Sequence, residues 1–403
     1  MFRLVLRGEL PMRYDKAYFD REIDRSGTEA TKWSRYDNLG FGDSCSFPLW
    51  LADMDLPTSV EISRALIKRA EHPIYGYTDR GPEYQRLFAE RFDSSHQGVK
   101  PSDVVLSTGV MYSIAGALEI FTNPGDCVLI MRPCYRPFVT TVESLGRKPV
   151  FVDMIQGKDA YEIDFDGMDH AAAQCRAFIL CNPHNPTGRV FTHGELESLA
   201  ALCERHQLIV ISDEIHSDFV YGDSKFSSIA TASQYVRDHG VFCVAPTKAF
   251  NLAGIKISAA LIFNQDMNRR FVGRAKTVGI NSINLFAMEA LKAAYVQSGS
   301  WQEGLLQYLG DNRDIVTRFV EANRGSIQAY RPEGTYFYWL NFPEVENVAT
   351  HLAHEARVVL NDGTDFSPYC SEWARLNFAC PQRVLTSALE RIASWRRERC
   401  RRL

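Results

Sequence analysis

The chain lacks the marks of several protein classes. Its 403 residues include 10 cysteines, but these are scattered, with no C-x-x-C pair and no compact run of even spacing. That pattern argues against a disulfide framework and reads as reduced, mostly buried thiols in a cytoplasmic enzyme. An excess of charge of one sign is also missing, because 45 Lys plus Arg face 49 Asp plus Glu, for a formal net charge of -4. No global field is therefore available to hold nucleic acid or an anionic membrane surface, and any phosphate has to be gripped locally. Apolar runs are short and interrupted, below the roughly 18 residues that a membrane span needs. There is no internal repeat, low-complexity segment or long linker. Met1 to Leu10 resembles a signal peptide, yet Arg3 and Arg7 cut its apolar run and no small-residue cleavage site follows. Residues 1–11 are therefore expected to form a loose extension, with Met12 as a candidate working start.

What is present suits a large core: 45% of residues are hydrophobic and 23% charged, enough for two domains. From about residue 100 to 263, short β-branched runs alternate with longer helical patterns, the signature of βαβ units around a buried parallel sheet. Strands are predicted at Val104 to Ser107, Cys127 to Met131, Ala177 to Cys181, Leu208 to Ser212, Val241 to Ala245 and Ile257 to Phe263. Between the third and fourth, Thr192 can cap a helix, Glu195 completes a capping box, and Leu196, Leu199, Ala200 and Cys203 fall on one face. This is a doubly wound α/β pattern. After about residue 288 it gives way to helices followed by aromatic-rich strands such as Thr335 to Asn341, which predicts a smaller α+β domain. The first fifty residues lack βαβ alternation and are expected to pack with that part. The expected division is 12–56 with 288–403 as the small domain, and 57–287 as the large one.

In open α/β sheets the ligand sits outside the carboxyl ends of the strands, so the loops after each strand are where chemistry is sought. After the first comes Thr108-Gly109-Val110-Met111-Tyr112-Ser113, a turn opening a helix whose free backbone N–H groups would face an anion. A plain turn would use the same residues. After the third comes Asn182-Pro183-His184-Asn185-Pro186-Thr187-Gly188, a stiff loop that either presents the Asn185 amide or forms an ordinary Asx-turn. The fourth ends in Ser212-Asp213-Glu214-Ile215-His216. A carboxylate after so apolar a strand needs a cation or several hydrogen bonds to stay ionised, and a protonated cofactor ring nitrogen is one such cation. A helix N-cap and a metal pair with His216 are the competing uses. No third ligand has an evident place, and no metal is expected. The fifth strand runs into Ala245-Pro246-Thr247-Lys248-Ala249-Phe250-Asn251. A desolvated Lys248 would be a nucleophile able to form an imine, while a lone lysine is more often solvated. Together, a phosphate turn, an amide, a buried Asp and an imine-forming Lys are the contacts that pyridoxal phosphate requires.

Through N-P-H-N-P-T-G, S-D-E-I-H and A-P-T-K-A-F-N-L-A-G, the sequence resembles fold type I pyridoxal-phosphate enzymes of the aminotransferase class I/II superfamily. Lys32-Trp33, Trp50-Leu51-Ala52-Asp53-Met54-Asp55, Tyr75-Gly76-Tyr77, Pro332-Glu333-Gly334-Thr335-Tyr336 and Arg375-Leu376-Asn377-Phe378-Ala379-Cys380-Pro381 make it most similar to the cystathionine β-lyase or C-S lyase branch. The resemblance covers almost everything from Met12 onward. It implies an α/β transferase fold with a large, mostly parallel sheet domain and a smaller α+β domain. It also implies Lys248 as the Schiff-base lysine, Asp213 as partner of the pyridinium nitrogen, and Tyr135 stacked on the ring. Asn185 and His216 would face the phenolic oxygen. Gly109, Val110 and Met111 would bind the phosphate, with Thr247 and Lys256 nearby. Tyr77 would reach the phosphate of a neighbouring subunit, which implies a homodimer with shared active sites. Arg375 would clamp the substrate α-carboxylate, and Ala52, Asp53, Tyr77 and Asn185 would line the substrate site.

The chain departs from the family at Thr247, usually a serine, and at Lys256, often an arginine, whereas His216, where many aminotransferases have a tyrosine, is usual in the lyase branch. The stretch Asp362 to Ala374 lacks the glycines usual before the Arg-Leu-Asn motif. The implied activity is β-elimination from a cysteine S-conjugate or its sulfoxide, giving a thiol-type product, pyruvate and ammonia. An aminotransferase would use the same lysine, aspartate and arginine. A regulatory protein with residual lyase activity is the third reading.

Overall fold

The computed structural model describes residues 13–25, 27–38, 46–79, 81–280 and 282–402. Residues 1–11 and Met12, expected to be an extension and a start, lie outside the described residues.

Seven strands form the central sheet: β1 Val104–Ser107, β2 Cys127–Arg132, β3 Lys148–Asp153, β4 Cys175–Cys181, β5 Ile209–Asp213, β6 Gly240–Val244 and β7 Ser258–Leu261. Their order is β1-β7-β6-β5-β4-β2-β3, and only β7 runs against its neighbours. The near-continuous apolar runs arise because both faces are covered and successive side chains point to opposite faces. Leu129, Phe178, Val210 and Phe242 enter one buried cluster, while Val128, Ile130, Ile179, Ile211 and Cys243 enter the other. Full burial of each such side chain stabilises the fold by roughly 1.5–3 kcal/mol.

Five of the six predicted strands differ from the structure by one or two residues at an end, and the departures have local causes. The strand ending at Ala245 stops at Val244, because Ala245 caps a helical turn that begins at Pro246. β3 has no counterpart in the predicted set: it is an edge strand opening on Lys148-Pro149, with a half-exposed pattern. The helix His193–Arg205 carries the expected capping box, with the Thr192 side chain accepting from Glu195 N–H.

A second, three-stranded antiparallel sheet joins β8 Phe337–Asn341, β9 Asn361–Asp362 and β10 Trp373–Asn377. The predicted strand began at Thr335, but Thr335 has φ 65°, a left-handed conformation no strand accommodates. Tyr14, Tyr18, Phe19 and Leu49 share a buried cluster with Trp301, Leu305, Tyr308 and Phe378. Phe47–Pro48 also pairs in parallel with Val358–Val359. Through these contacts the early segment 50–55 reaches the carboxyl edge of the central sheet, where Asn251 Nδ2 donates to Met54 O and Leu56 O.

Candidate active site

The carboxyl ends of the parallel strands gather the singled-out loops at one edge. Cys181, Asp213 and Cys243 lie side by side in the register of β4, β5 and β6. Asp213 is buried, and Ile215 N–H donates to its Oδ1 at 3.1 Å. Among the described residues it forms no ion pair. Burial pushes its carboxyl up to about 7, with the Ile215 N–H opposing, Glu214 adding and Lys248 opposing.

Lys248 follows β6 by four residues because the turn Pro246–Ala249 starts at the strand's end. The side chain is half-buried, which favours the desolvated reading over a solvated lysine, and Nζ donates to the Ala52 carbonyl oxygen. Burial pushes its ammonium down to about 8, and the Arg375 cation acts in the same direction against Asp53 and Asp213. Ala52 O also accepts from Tyr336 OH at 3.1 Å.

Arg375, in β10, is fully enclosed, and burial pushes its guanidinium down to about 10. Nη1 donates to Asn185 Oδ1 at 2.8 Å, and Nη2 to Trp50 O and Asn361 Oδ1 at 2.9 Å each. Its Nε is buried with no partner, leaving a donor for an incoming acceptor. The guanidinium lies 4.1 Å over the Phe337 ring. The loop that carries Asn185 is fixed from behind, since Gly188 O accepts from Glu333 N at 2.9 Å and Gly334 N at 2.8 Å. Gly188 has φ 73°, and a Cβ there would stand 2.4 Å from Pro332 Cβ, so glycine is required.

His216 is buried against Phe219, Tyr336 and Phe337, with Nδ1 unpartnered, and burial together with Lys248 and Arg375 holds its pKa well below the usual value. Tyr135 caps the helix Arg136–Ser144 directly after β2; burial raises its hydroxyl pKa, with Asp213 adding. Gly109 is the N-cap of the helix Val110–Phe121, and a Cβ there would meet nothing within 4 Å. Thr247 is buried, whereas Lys256 and Tyr77 are exposed in this chain. Asp53 turns its carboxylate to Arg25 at 2.9 Å and Lys32 at 3.7 Å.

A buried carboxylate that forms no ion pair among the described residues, an unpartnered imidazole nitrogen, an amine whose pKa is pushed down to about 8 and open space at a helix N-terminus fit a planar, protonated heterocycle with an anionic tail. Among the described residues no group of three His, Cys, Asp or Glu side chains is placed to hold a metal.

Residues 49–392 match the model of the family described as Aminotransferase class I and II. The chain belongs to that family. It is 32% identical to cystathionine beta-lyase PatB of Bacillus subtilis (strain 168), over 93% of this chain and 98% of that protein. It is 29% identical to protein MalY of Escherichia coli (strain K12), over 91% and 95%. The crystal structure of cystalysin from Treponema denticola, which contains a pyridoxal 5'-phosphate cofactor, superposes with a TM-score of 0.90 at 28% identity, covering 96% of this chain and 100% of that one.

Around this aminotransferase-family site the structure adds residues that the sequence left without a role. Asn377 Nδ2 donates to Leu51 O and Asp53 O, both at 2.7 Å, so the segment that supplies Ala52 O is strapped to β10. Lys32 is 0% exposed, and its Nζ meets Asp55 Oδ2 at 2.5 Å and Asp53 O at 3.2 Å. Behind Asp213, His96 Nε2 and Glu214 Oε2 form a buried pair at 2.7 Å, with Ser212 and Ser228 donating to Glu214 Oε1. Lys32 was visible only as part of the Lys32-Trp33 motif. Asn377, Ser212 and Glu214 likewise stood only as members of quoted motifs, and His96 carries no sequence signal because it is remote from Glu214 along the chain.

Proposed function

We propose that this chain is a pyridoxal 5'-phosphate-dependent carbon-sulfur β-lyase acting on a cysteine S-conjugate or its sulfoxide, releasing a thiol-type product, pyruvate and ammonia. The observation that carries it is the meeting of Lys248, Asp213, Asn185 and Arg375 at one sheet edge, in a chain 32% identical to a cystathionine beta-lyase. When bound, the cofactor supplies an electron sink for the pair left by loss of the substrate α-proton.

The chain's own groups would then divide the work. Lys248 would carry the cofactor at rest. Freed by the incoming amine, it would take the α-proton at Nζ, a task its lowered pKa of about 8 suits near neutrality. Asp213, ionised by a cationic partner, would hold the proton on the ring nitrogen. Asn185, with Oδ1 committed to Arg375, would offer Nδ2 to the phenolic oxygen, and His216 would border it. Tyr135 would stack on the ring. Gly109, Val110 and Met111 would present backbone N–H groups to the phosphate, with Thr247 and Lys256 beside it. Arg375 would hold the α-carboxylate through its spare Nε, with Ala52 and Asp53 bordering the substrate.

Tyr77, fully exposed in the single chain, would complete a neighbour's phosphate site, making a homodimer with shared active sites. The two-domain division at residues 12–56, 57–287 and 288–403 belongs to this reading. So does a cytoplasmic location, supported by eight unpaired cysteines among the described residues, none of whose helices is long and apolar enough to cross a membrane. The aminotransferase reading uses the same groups and differs in whether a keto-acid acceptor is required. Lys248→Ala tests the assignment: visible absorbance of the bound cofactor imine and pyruvate formation should both vanish, and a variant keeping either one overturns it.

A further inference from the structure

A charged seam borders the carboxylate clamp and has no part in the chemistry above. The segment after β2 and the turn Gly363–Asp365 lie side by side, joined by a hydrogen bond from Cys134 N–H to Phe366 O at 3.0 Å. Across this seam Arg136 Nη1 meets Asp365 Oδ1 at 2.8 Å, with the side chains 65% and 40% exposed. Asp365 Oδ2 accepts from Asn361 Nδ2 at 2.9 Å, and Asn361 Oδ1 accepts from Arg375 Nη2 at 2.9 Å. An accessible anion thus stands two side chains out from Arg375, and an accessible cation three, on the residue that follows Tyr135.

We infer that Arg136 and Asp365 determine specificity for the arm carried on the substrate's sulfur, selecting conjugates whose far end bears charge over those with a neutral alkyl end. The inference rests on the lyase reading for the near half of the substrate. A far carboxylate fits the planar fork of Arg136, and a far ammonium fits Asp365. Exposed pairs of this kind contribute little to stability, so each partner can be exchanged for a ligand group at small cost. A neutral alkyl arm would have to lie against the pair without replacing it. Asp365 also holds Asn361, and through it Arg375, so Arg136 is the cleaner residue to change.

The experiment compares the wild-type holoenzyme with Arg136→Gln, Arg136→Glu and Arg136→Lys, all at an exposed first-turn position of a helix. Pyruvate release gives kcat/KM for L-cystathionine and for S-methyl-L-cysteine. Arg136→Gln should lower the first by about three- to tenfold and the second less than about twofold. Arg136→Glu should lower the first further, and Arg136→Lys should retain most of the preference. Equal losses on both substrates, or no loss on either, overturn the inference. A second arm needs no cleavage: calorimetric dissociation constants of the sulfur-free isosteres 2,7-diaminosuberate and norvaline should shift in the same ratio. Should the wild type cleave neither conjugate, the lyase reading is decided by the wider panel of conjugates and sulfoxides, and the calorimetric ratio decides the specificity inference alone.

Discussion

Asp213 pays for its function with stability, and the size of that penalty can be worked out. In the chain without cofactor its carboxyl is buried, supported by one backbone N–H, and pushed up to about 7 from an ordinary value of 3.8. A folded pKa above the unfolded one means that the folded state binds the proton more tightly. The ionised form therefore destabilises the fold fully above about pH 7, and the penalty fades as pH falls toward 3.8. A shift of about three units at 1.36 kcal/mol each gives an upper bound of roughly 4 kcal/mol. Asp213→Asn removes the charge and keeps the shape. At roughly 2.1 cal/mol/K per residue over this chain length, the cofactor-free variant should melt about 5 °C above cofactor-free wild type at pH 8. The gap should narrow as pH falls from 7 to 5. Adding pyridoxal phosphate should raise the wild-type Tm more than that of the variant, because only the carboxylate gains a cationic ring nitrogen. Thermal denaturation from pH 5 to 8.5, with and without cofactor, reads all three. A variant no more stable than wild type at pH 8, or a gap independent of pH, would refute this account of Asp213.

Two further substitutions probe the clamp and the scaffold. Arg375→Lys keeps the charge but loses the fork that binds Asn185, Trp50 and Asn361 together, so KM for an S-substituted cysteine should rise by roughly tenfold to a hundredfold. The corresponding cysteamine conjugate, lacking the α-carboxylate, should show little change between the two enzymes. Lys32→Met leaves Asp55 with Arg25 as its one cation among the described residues, and urea denaturation should show a loss of about 3 kcal/mol. Burial opposes ionisation of Asp55, yet Lys32 and Arg25 hold its pKa below the ordinary value. Its stabilisation is present above about pH 4 and lost on acidification, so the variant should lose less stability than wild type as pH falls below 4.

The parts of the site legible in the sequence are those set by local chemistry. Asp213 was readable because a carboxylate ends an apolar strand, the capping box at Thr192 because its members are three residues apart, and Lys248 because a lysine follows closely on a buried strand. The motifs of the resemblance supplied Arg375 and Asn185, although their mutual hydrogen bond joins residues 190 positions apart. What stayed hidden depends on tertiary approach. No pattern in 50–55 shows that its carbonyls would receive Arg375, Lys248 and Asn377, since every residue carries a carbonyl and only the fold selects which are used. The edge strand β3 was missed for a related reason: with one side unpaired, its half-exposed residues lack the uniform burial that marks the inner strands.

The central claim is that the site breaks a carbon-sulfur bond instead of exchanging amino groups, and product analysis tests it most directly. Purified holoenzyme is incubated with L-cystathionine and a panel of S-substituted cysteines and sulfoxides, with no keto acid present, and pyruvate, ammonia and the sulfur product are measured. The account predicts many turnovers on at least one of these substrates, with the three products in equal amounts and no stimulation by added keto acid. Turnover that appears only when a keto acid is supplied, with the carbon-sulfur bond intact, would contradict it.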